Sequence, residues 1–280
     1  MITGAAGGLG RAFAVECASR GWNLVLTDIN EGALTTLAQG LRAAWETRVE
    51  TRACDLTDPS ALAALFDEVH AYGLRFWALI NVAGVDFEGP FYAQTGEHIR
   101  AIVRLNIEAT LCVTHAILPY RQPTAPFRII NVASLAAYAP MPAKATYAAS
   151  KRFLLDFSLA LREEVRPLGG TVTVLCPAGM PTNASCIAGI QAQGWMGAVT
   201  TCNTGRVAHE TIEAALAGRA VVIPGAANRL LQALSGLLPA GLAARMVGRR
   251  WQAAQASRAE AADAKPYPAP HLPVGEPEGA

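Results

Sequence analysis

Several things are scarce in this chain, and each scarcity excludes a class of function. Charge of one sign is missing: 23 Lys and Arg against 22 Asp and Glu leave a formal net charge of +1. With no Lys/Arg-rich run either, the chain has no electrostatic footprint for nucleic acid, and no nucleic-acid partner is expected. The six cysteines (Cys17, Cys54, Cys112, Cys176, Cys186, Cys202) form no Cys-x-x-Cys pair. They also show no metal-ligand spacing with the five histidines (His70, His98, His115, His209, His271), so no metal is expected. Cys54, Cys112 and Cys176 lie in apolar segments, where cysteine behaves as a small hydrophobe, and a reduced, cytoplasmic setting is expected. No basic stretch leads into an apolar one at the start, so no signal peptide is read. No uncharged apolar run reaches the ~18–20 residues that span a bilayer, and no solenoid-type repeat occurs.

What the chain does have is 280 residues, 52 % of them hydrophobic, enough for a sizeable core in one large α/β domain or two small ones. Short apolar runs rich in Val, Ile and Leu predict strands at Trp22–Thr27, Arg48–Cys54, Phe76–Val82, Phe127–Val132, Thr171–Leu175 and Ala220–Ile223. Helical patterns lie between them: Gly8–Ser19, Glu31–Trp45 (Leu34, Leu37 and Leu41 on one face), Pro59–Ala71, Gly96–Leu118, Ala145–Val165 and Arg206–Ala217. Asp58 is the expected N-cap before Pro59. Such alternation predicts an α/β fold with a doubly wound, Rossmann-like parallel sheet. The domain is read over 1–225, with a substrate loop at about 180–205.

Two constellations carry chemistry. Thr3-Gly4-Ala5-Ala6-Gly7-Gly8-Leu9-Gly10 is a glycine-rich turn opening a helix, where free N–H groups and the helix dipole favour a pyrophosphate. Asp28 follows Gly10 by eighteen residues at a strand end, where an acid accepts from the ribose hydroxyls of NAD; a plain turn role before Asn30-Glu31-Gly32 is the alternative. The second constellation is Tyr147 four residues before Lys151, with Ser134 thirteen residues before Tyr147. Positions four apart share a helix face, and an ammonium beside a phenol lowers its pKa from ~10 toward the working range of a general acid/base. Lys151 is therefore expected to depress the pKa of Tyr147.

In this order the motifs resemble the short-chain dehydrogenase/reductase family over roughly residues 1–225. Gly4-x-x-x-Gly8-x-Gly10 is similar to the family's cofactor turn, with Leu9 inside it. Asp55-Leu56 resembles the pair that holds the adenine ring. Asn81-Val82-Ala83-Gly84 resembles the family's Asn-Asn-Ala-Gly turn, with Val82 in place of the second Asn. Asn106 matches the helix asparagine of the catalytic tetrad, and Ser134, Tyr147 and Lys151 match the other three. Pro177-Ala178-Gly179-Met180-Pro181-Thr182 resembles the segment that cups the nicotinamide, with Ala178 where the family usually has Gly.

The resemblance implies hydride transfer between NAD(H) and a secondary alcohol or ketone. Tyr147 would exchange the proton and Lys151 would hold the nicotinamide ribose. Ser134 would bond the substrate oxygen, and Asn106 would anchor a water leading to Lys151, a buried amide satisfying helix backbone being its alternative. NAD is expected over NADP because Asp28 repels a 2′-phosphate and Ile29, Asn30 and Gly7 supply no cation. Trp195, Met196 and Ile187 point to an apolar small-molecule substrate. Two other readings are a non-catalytic NAD(H)-binding sensor or scaffold and a lyase or epimerase using bound NAD.

Met1-Ile2-Thr3 runs straight into the glycine turn, so the first strand is expected to be a stub. We expect a start placed too late or a shortened chain, and strands flanking the gap are expected to lose backbone partners. At the other end, 226–263 reads as an amphipathic helical extension. Leu230, Leu231, Leu234, Leu237 and Leu238 precede Pro239; Leu242, Met246 and Val247 follow with Arg245, Arg249 and Arg250 interleaved. This segment (228–251) packs over the substrate pocket or on another subunit, or else it attaches to a membrane surface. A homo-oligomer is expected. Ala264–Ala280, with five prolines, is expected to be a disordered tail.

Overall fold

A computed structural model of the chain describes residues 1–182, 186–187, 199–235 and 239–249. Seven strands form one parallel sheet: β1 (Ile2–Thr3), β2 (Leu24–Asp28), β3 (Val49–Ala53), β4 (Ala78–Asn81), β5 (Phe127–Val132), β6 (Gly170–Leu175) and β7 (Val221–Val222). Their spatial order is β3-β2-β1-β4-β5-β6-β7, which is the doubly wound arrangement expected. The chain reverses direction of winding between β1 and β4, and in such sheets the crevice at the carboxyl ends of these strands takes ligands.

Helices cover both faces because strands of this composition are apolar on both sides. On one face, α1 (Gly8–Ser19), α2 (Glu31–Ala44) and α7 (Thr204–Leu216) enclose a core around Phe13, Leu26, Leu34 and Ile212. On the other, α3 (Pro59–Ala71), α5 (Thr110–Ile117) and α6 (Ala145–Val165) pack around Phe66, Leu79, Ile117 and Ile129. Asp58 caps α3 as expected, its carboxylate accepting from Ser60 N at 2.8 Å, with Pro59 at the first turn. Asn30 caps α2 in the same way through Ala33 N at 3.0 Å.

Gly96–Tyr120 runs as one continuous helix whose middle is not α-helical. After α4 (Gly96–Ile102), a π-helical segment spans Val103–Ala109 before α5 resumes. Wide turns of this kind concentrate at functional positions, and here the widened turn carries Asn106. By length and composition alone this helix could cross a membrane, yet Ile102, Asn106, Val113 and Ile117 are buried inside the fold. Cys112 departs from its apolar-segment reading: it lies exposed, out of phase with the buried Ala109 and Val113, whereas Cys54 and Cys176 are buried.

The first strand is the expected stub, paired through Ile2 and Thr3 with both neighbours. Met1 adds one rung, its nitrogen donating to Ala78 O and its carbonyl accepting from Ile80 N, both at 2.9 Å. Beyond Met1 a cavity of about 60 Å³ opens between the neighbouring strands. Trp22 and Trp77 close it, their rings meeting edge-on at 4.4 Å.

A polar thread crosses the sheet from helix to helix. Asn131 donates to Ser158 Oγ at 2.9 Å and accepts from Asn81 Nδ2 at 2.9 Å, and Asn81 also donates to Thr114 Oγ1 at 3.0 Å. All four side chains are buried. Removing the central member leaves an Asn81 N–H without its acceptor and Ser158 Oγ without its donor in a dry layer, so Asn131→Ala should destabilise the fold by about 2–4 kcal/mol, read as a lowered denaturant midpoint with unchanged slope.

Candidate active site

The glycine turn owes its shape to contacts that only glycine permits. Gly4 has φ of +61°, and a Cβ there would lie 2.7 Å from the backbone of Ala83. A Cβ on Gly10 would fall 2.1 Å from the Gly4 carbonyl oxygen, and one on Gly8 would meet Thr182 at 2.9 Å. Thr3 Oγ1 accepts from Val82 N (3.2 Å) and Ala83 N (3.3 Å), which ties the turn to the end of β4. α1 begins here with no side-chain cap and no acidic residue in its first turn. Its free N–H groups and dipole therefore face an open, backbone-lined cradle, which fits the pyrophosphate of a dinucleotide.

The cradle is one end of a crevice of about 1930 Å³ along the carboxyl ends of the strands. That exceeds the ~300–1,000 Å³ of an ordinary small-molecule pocket, leaving room for a dinucleotide and a substrate together. Of the residues expected to hold a cofactor, Gly4, Gly8, Leu9, Gly10, Asp28, Asp55, Leu56, Ala83, Gly84, Tyr147, Lys151, Pro177 and Thr182 all line it. Asp28 takes its turn role, its two oxygens accepting from Ala6 N and Asn30 N, each at 3.0 Å, and it also borders the crevice. Asp55 also shapes its own turn by accepting from Thr57 N at 2.9 Å.

Asn81 is a correction. It is buried in the sheet-crossing thread described above and does not border the crevice, because its position in β4 turns the side chain toward α5.

The proton-handling end brings Ser134, Tyr147 and Lys151 together. Ser134 follows β5 and hydrogen-bonds the Tyr147 hydroxyl. α6 places Tyr147 and Lys151 on one face, with Lys151 Nζ 5.7 Å from the centre of the Tyr147 ring. Lys151 is 4 % exposed, and its Nζ donates to Val132 O at 2.9 Å. Gly84 packs close by: a Cβ there would stand 3.0 Å from Asn106 Oδ1 and 3.4 Å from Lys151 Nζ.

Asn106 is fully buried behind this cluster, and its amide serves the loop after β4 rather than helix backbone. Its Oδ1 accepts from Val85 N (2.8 Å), and its Nδ2 donates to Val85 O (3.0 Å) and Ser150 Oγ (3.1 Å). The side-chain amide is thus occupied in pinning the loop after β4 to α6, and it does not line the crevice.

The electrostatics reverse one expectation. The Tyr147 phenol is pushed up to about 12, chiefly by burial and next by the nearby Asp86 carboxylate, while the Ser134 hydrogen bond pulls it down. Lys151 is pushed down to about 8 by burial, against the opposing pull of Asp86. Desolvation disfavours both charged forms and outweighs the through-space help that Lys151 was expected to give. At neutral pH Tyr147 holds its proton.

Charged neighbours that escaped the sequence reading explain part of this. Lys144, the N-cap of α6, pairs with Asp86 and lies 3.7 Å from Glu88 Oε2, and its Nζ is 5.6 Å from the Tyr147 ring. Two ammoniums therefore lie close to the ring, 5.6 and 5.7 Å from its centre. The signal was Lys144 three residues before Tyr147, on the same helix face as Lys151 four residues after. Arg11, directly after Gly10, also borders the crevice and is held by Ala6 O at 2.8 Å. Of the expected substrate-loop residues, Ile187 is exposed, and Trp195 and Met196 lie outside the described residues.

A nucleotide cradle, a Ser-Tyr-Lys cluster and a seven-stranded doubly wound sheet define a class of dinucleotide-dependent oxidoreductases. The family model for short chain dehydrogenases matches residues 1–187, and the chain belongs to that family. A sulfoacetaldehyde reductase of Chromohalobacter salexigens is 36 % identical over 180 residues, 63 % of this chain and 70 % of the relative. A short-chain dehydrogenase from Sphingobium yanoikuyae, solved with NADPH, is 27 % identical and superposes over 97 % of both chains with a TM-score of 0.71. One from Burkholderia phymatum, solved with NAD, is 26 % identical over 83 % of this chain and 91 % of its own, with a TM-score of 0.73. The chain spans about half the length of the fungal very-long-chain 3-oxoacyl-CoA reductases that it also matches, such as that of Laccaria bicolor at 34 % identity.

Burial of Lys151 has a measurable consequence for stability. Its folded pKa of about 8 lies below the 10.5 of a free lysine, so between these values the unfolded chain binds more protons and folding is favoured increasingly as pH rises. The stability of the wild type relative to Lys151→Met should therefore climb from pH 8 to pH 10.5, on the order of 2 kcal/mol, in denaturant titrations.

Proposed function

We propose that the chain is an NAD(H)-dependent oxidoreductase interconverting a ketone and a secondary alcohol, with Tyr147 as the general acid/base. The observation that carries this reading is the Tyr147 hydroxyl, bonded to Ser134, opening on the same crevice as the glycine cradle. The dinucleotide, when bound, supplies the hydride chemistry. The chain's own residues do the rest. Ser134 hydrogen-bonds the substrate oxygen and Tyr147 gives it a proton, or takes one in the oxidative direction. Lys151, fixed by Val132 O, holds the ribose beside the nicotinamide; Asn106 acts as a positioning residue through Val85.

The relatives named as reductases support the reductive direction. The crevice wall of Val85, Tyr138, Met141, Leu231 and Val247 suits an apolar substrate. The Asp28 carboxylate supports NAD over NADP by repelling a 2′-phosphate. A purely binding sensor would have no use for a phenol and two ammoniums around it, and we set that alternative aside. We further place the chain in the cytoplasm, on its free thiols, and assign it a homo-oligomeric state.

Tyr147→Phe should lower ketone reduction by about 10²–10⁴-fold while the Kd for NADH, measured by fluorescence titration, stays within about threefold; unimpaired turnover would refute the assignment of Tyr147. Steady-state kinetics with both cofactors should give a higher kcat/KM for NADH than for NADPH, and the opposite ranking would refute the role of Asp28.

A further inference from the structure

The C-terminal helices have two faces with different jobs. On its inward side, α8 (Ala226–Ser235) places Leu231, Gln232 and Ser235 on the crevice. It is held there by Asn228, 1 % exposed, whose Nδ2 donates to Pro224 O (2.8 Å) and Thr200 O (3.0 Å). The helical stretch 240–249 likewise buries Ala243 and sets Val247 on the crevice. The outward sides are apolar and basic. Leu230 and Leu234, four apart, are 61 % and 49 % exposed, with Arg229 alongside; Leu242 and Met246, again four apart, are 46 % and 51 % exposed, with Arg245 and Arg249 alongside. A solvated helix face would carry charges of both signs. Here no Asp or Glu occurs anywhere between Glu213 and Glu260, while six arginines do.

Exposed large aliphatics flanked by cations of one sign are the composition of a helix that lies in the headgroup region of a bilayer. We propose that this outward strip is a docking face for an anionic phospholipid surface. Charge complementarity selects that occupant over a second copy of the chain, because two such strips facing each other would bring arginines together without a counter-charge. Leu230, Leu234, Leu242 and Met246 enter the acyl boundary, and Arg229, Arg245 and Arg249 meet lipid phosphates. Since the opposite sides of the same helices line the crevice, a docked chain holds its substrate end against the lipid.

Co-sedimentation of the full chain with vesicles tests this without any activity assay. Binding is expected to phosphatidylcholine vesicles containing 30 % phosphatidylglycerol, to be weak on phosphatidylcholine alone, and to fall with salt. Arg245→Glu/Arg249→Glu should weaken partitioning at least about 25-fold, about fivefold for each arginine lost, and Leu230→Ser/Leu234→Ser should weaken it independently. Unchanged thermal unfolding and circular dichroism confirm that both variants fold. No sedimentation, or equal binding to neutral and anionic vesicles, overturns the proposal. So does light scattering that shows the leucine variant dissociating an oligomer while vesicle binding is unaffected.

Discussion

The bond from Lys151 Nζ to the Val132 carbonyl holds the site together. It joins the end of a central strand to the second turn of the longest α-helix, inside the fold, where an amine is costly to keep charged. Once that contact is made, the helix has no freedom to rotate, and Tyr147 one turn earlier must face the residue just beyond the strand, Ser134. The glycine turn, two strands away, is drawn to the same edge by Thr3 and by the close approach of Gly4 to Ala83. Two distant stretches of chain thus meet in one crevice because a parallel sheet delivers all its carboxyl ends to one side.

Packing these groups against the sheet takes them out of water, and that sets their chemistry. A phenol and an amine side by side were expected to share charge; burial instead drives both toward their neutral forms. The carboxylate of Asp86 supports the lysine's charge and opposes the tyrosine's, and it is itself engaged by Lys144. The resting site is therefore a proton-loaded tyrosine with a lysine behind it whose charge burial has weakened. Charge brought in by a bound ligand acts on this poised pair far more strongly than it would on groups in solvent.

Much of this was readable from residue order. Apolar strands alternating with helices, Pro59 after Asp58, and glycines spaced 4-8-10 each have a local physical cause, so they survive into the fold unchanged. Tyr147 and Lys151 were legible for the same reason, since helical spacing alone puts them together. The roles of Asn81 and Asn106 were not, because an amide's work depends on which strand or loop lies opposite: Asn131 and Thr114 for one, the Val85 backbone for the other. The direction of the Tyr147 shift escaped as well. It is decided by desolvation and by a carboxylate sixty-one positions earlier in the chain, neither of which a local pattern encodes. The π-helical turn at Asn106 had no signal in a periodicity that looks helical throughout.

With six tyrosines in the chain, the ring carbons can be followed one by one by NMR after ¹³Cζ labelling, with the Tyr147 signal assigned by its loss in Tyr147→Phe. Titrating the ligand-free protein with this probe tests the central claim most directly. A Tyr147 resonance that stays in the phenol position through pH 10 is what burial at the strand end predicts. A midpoint below pH 8 would mean that the lysine governs the phenol after all, and would contradict the account.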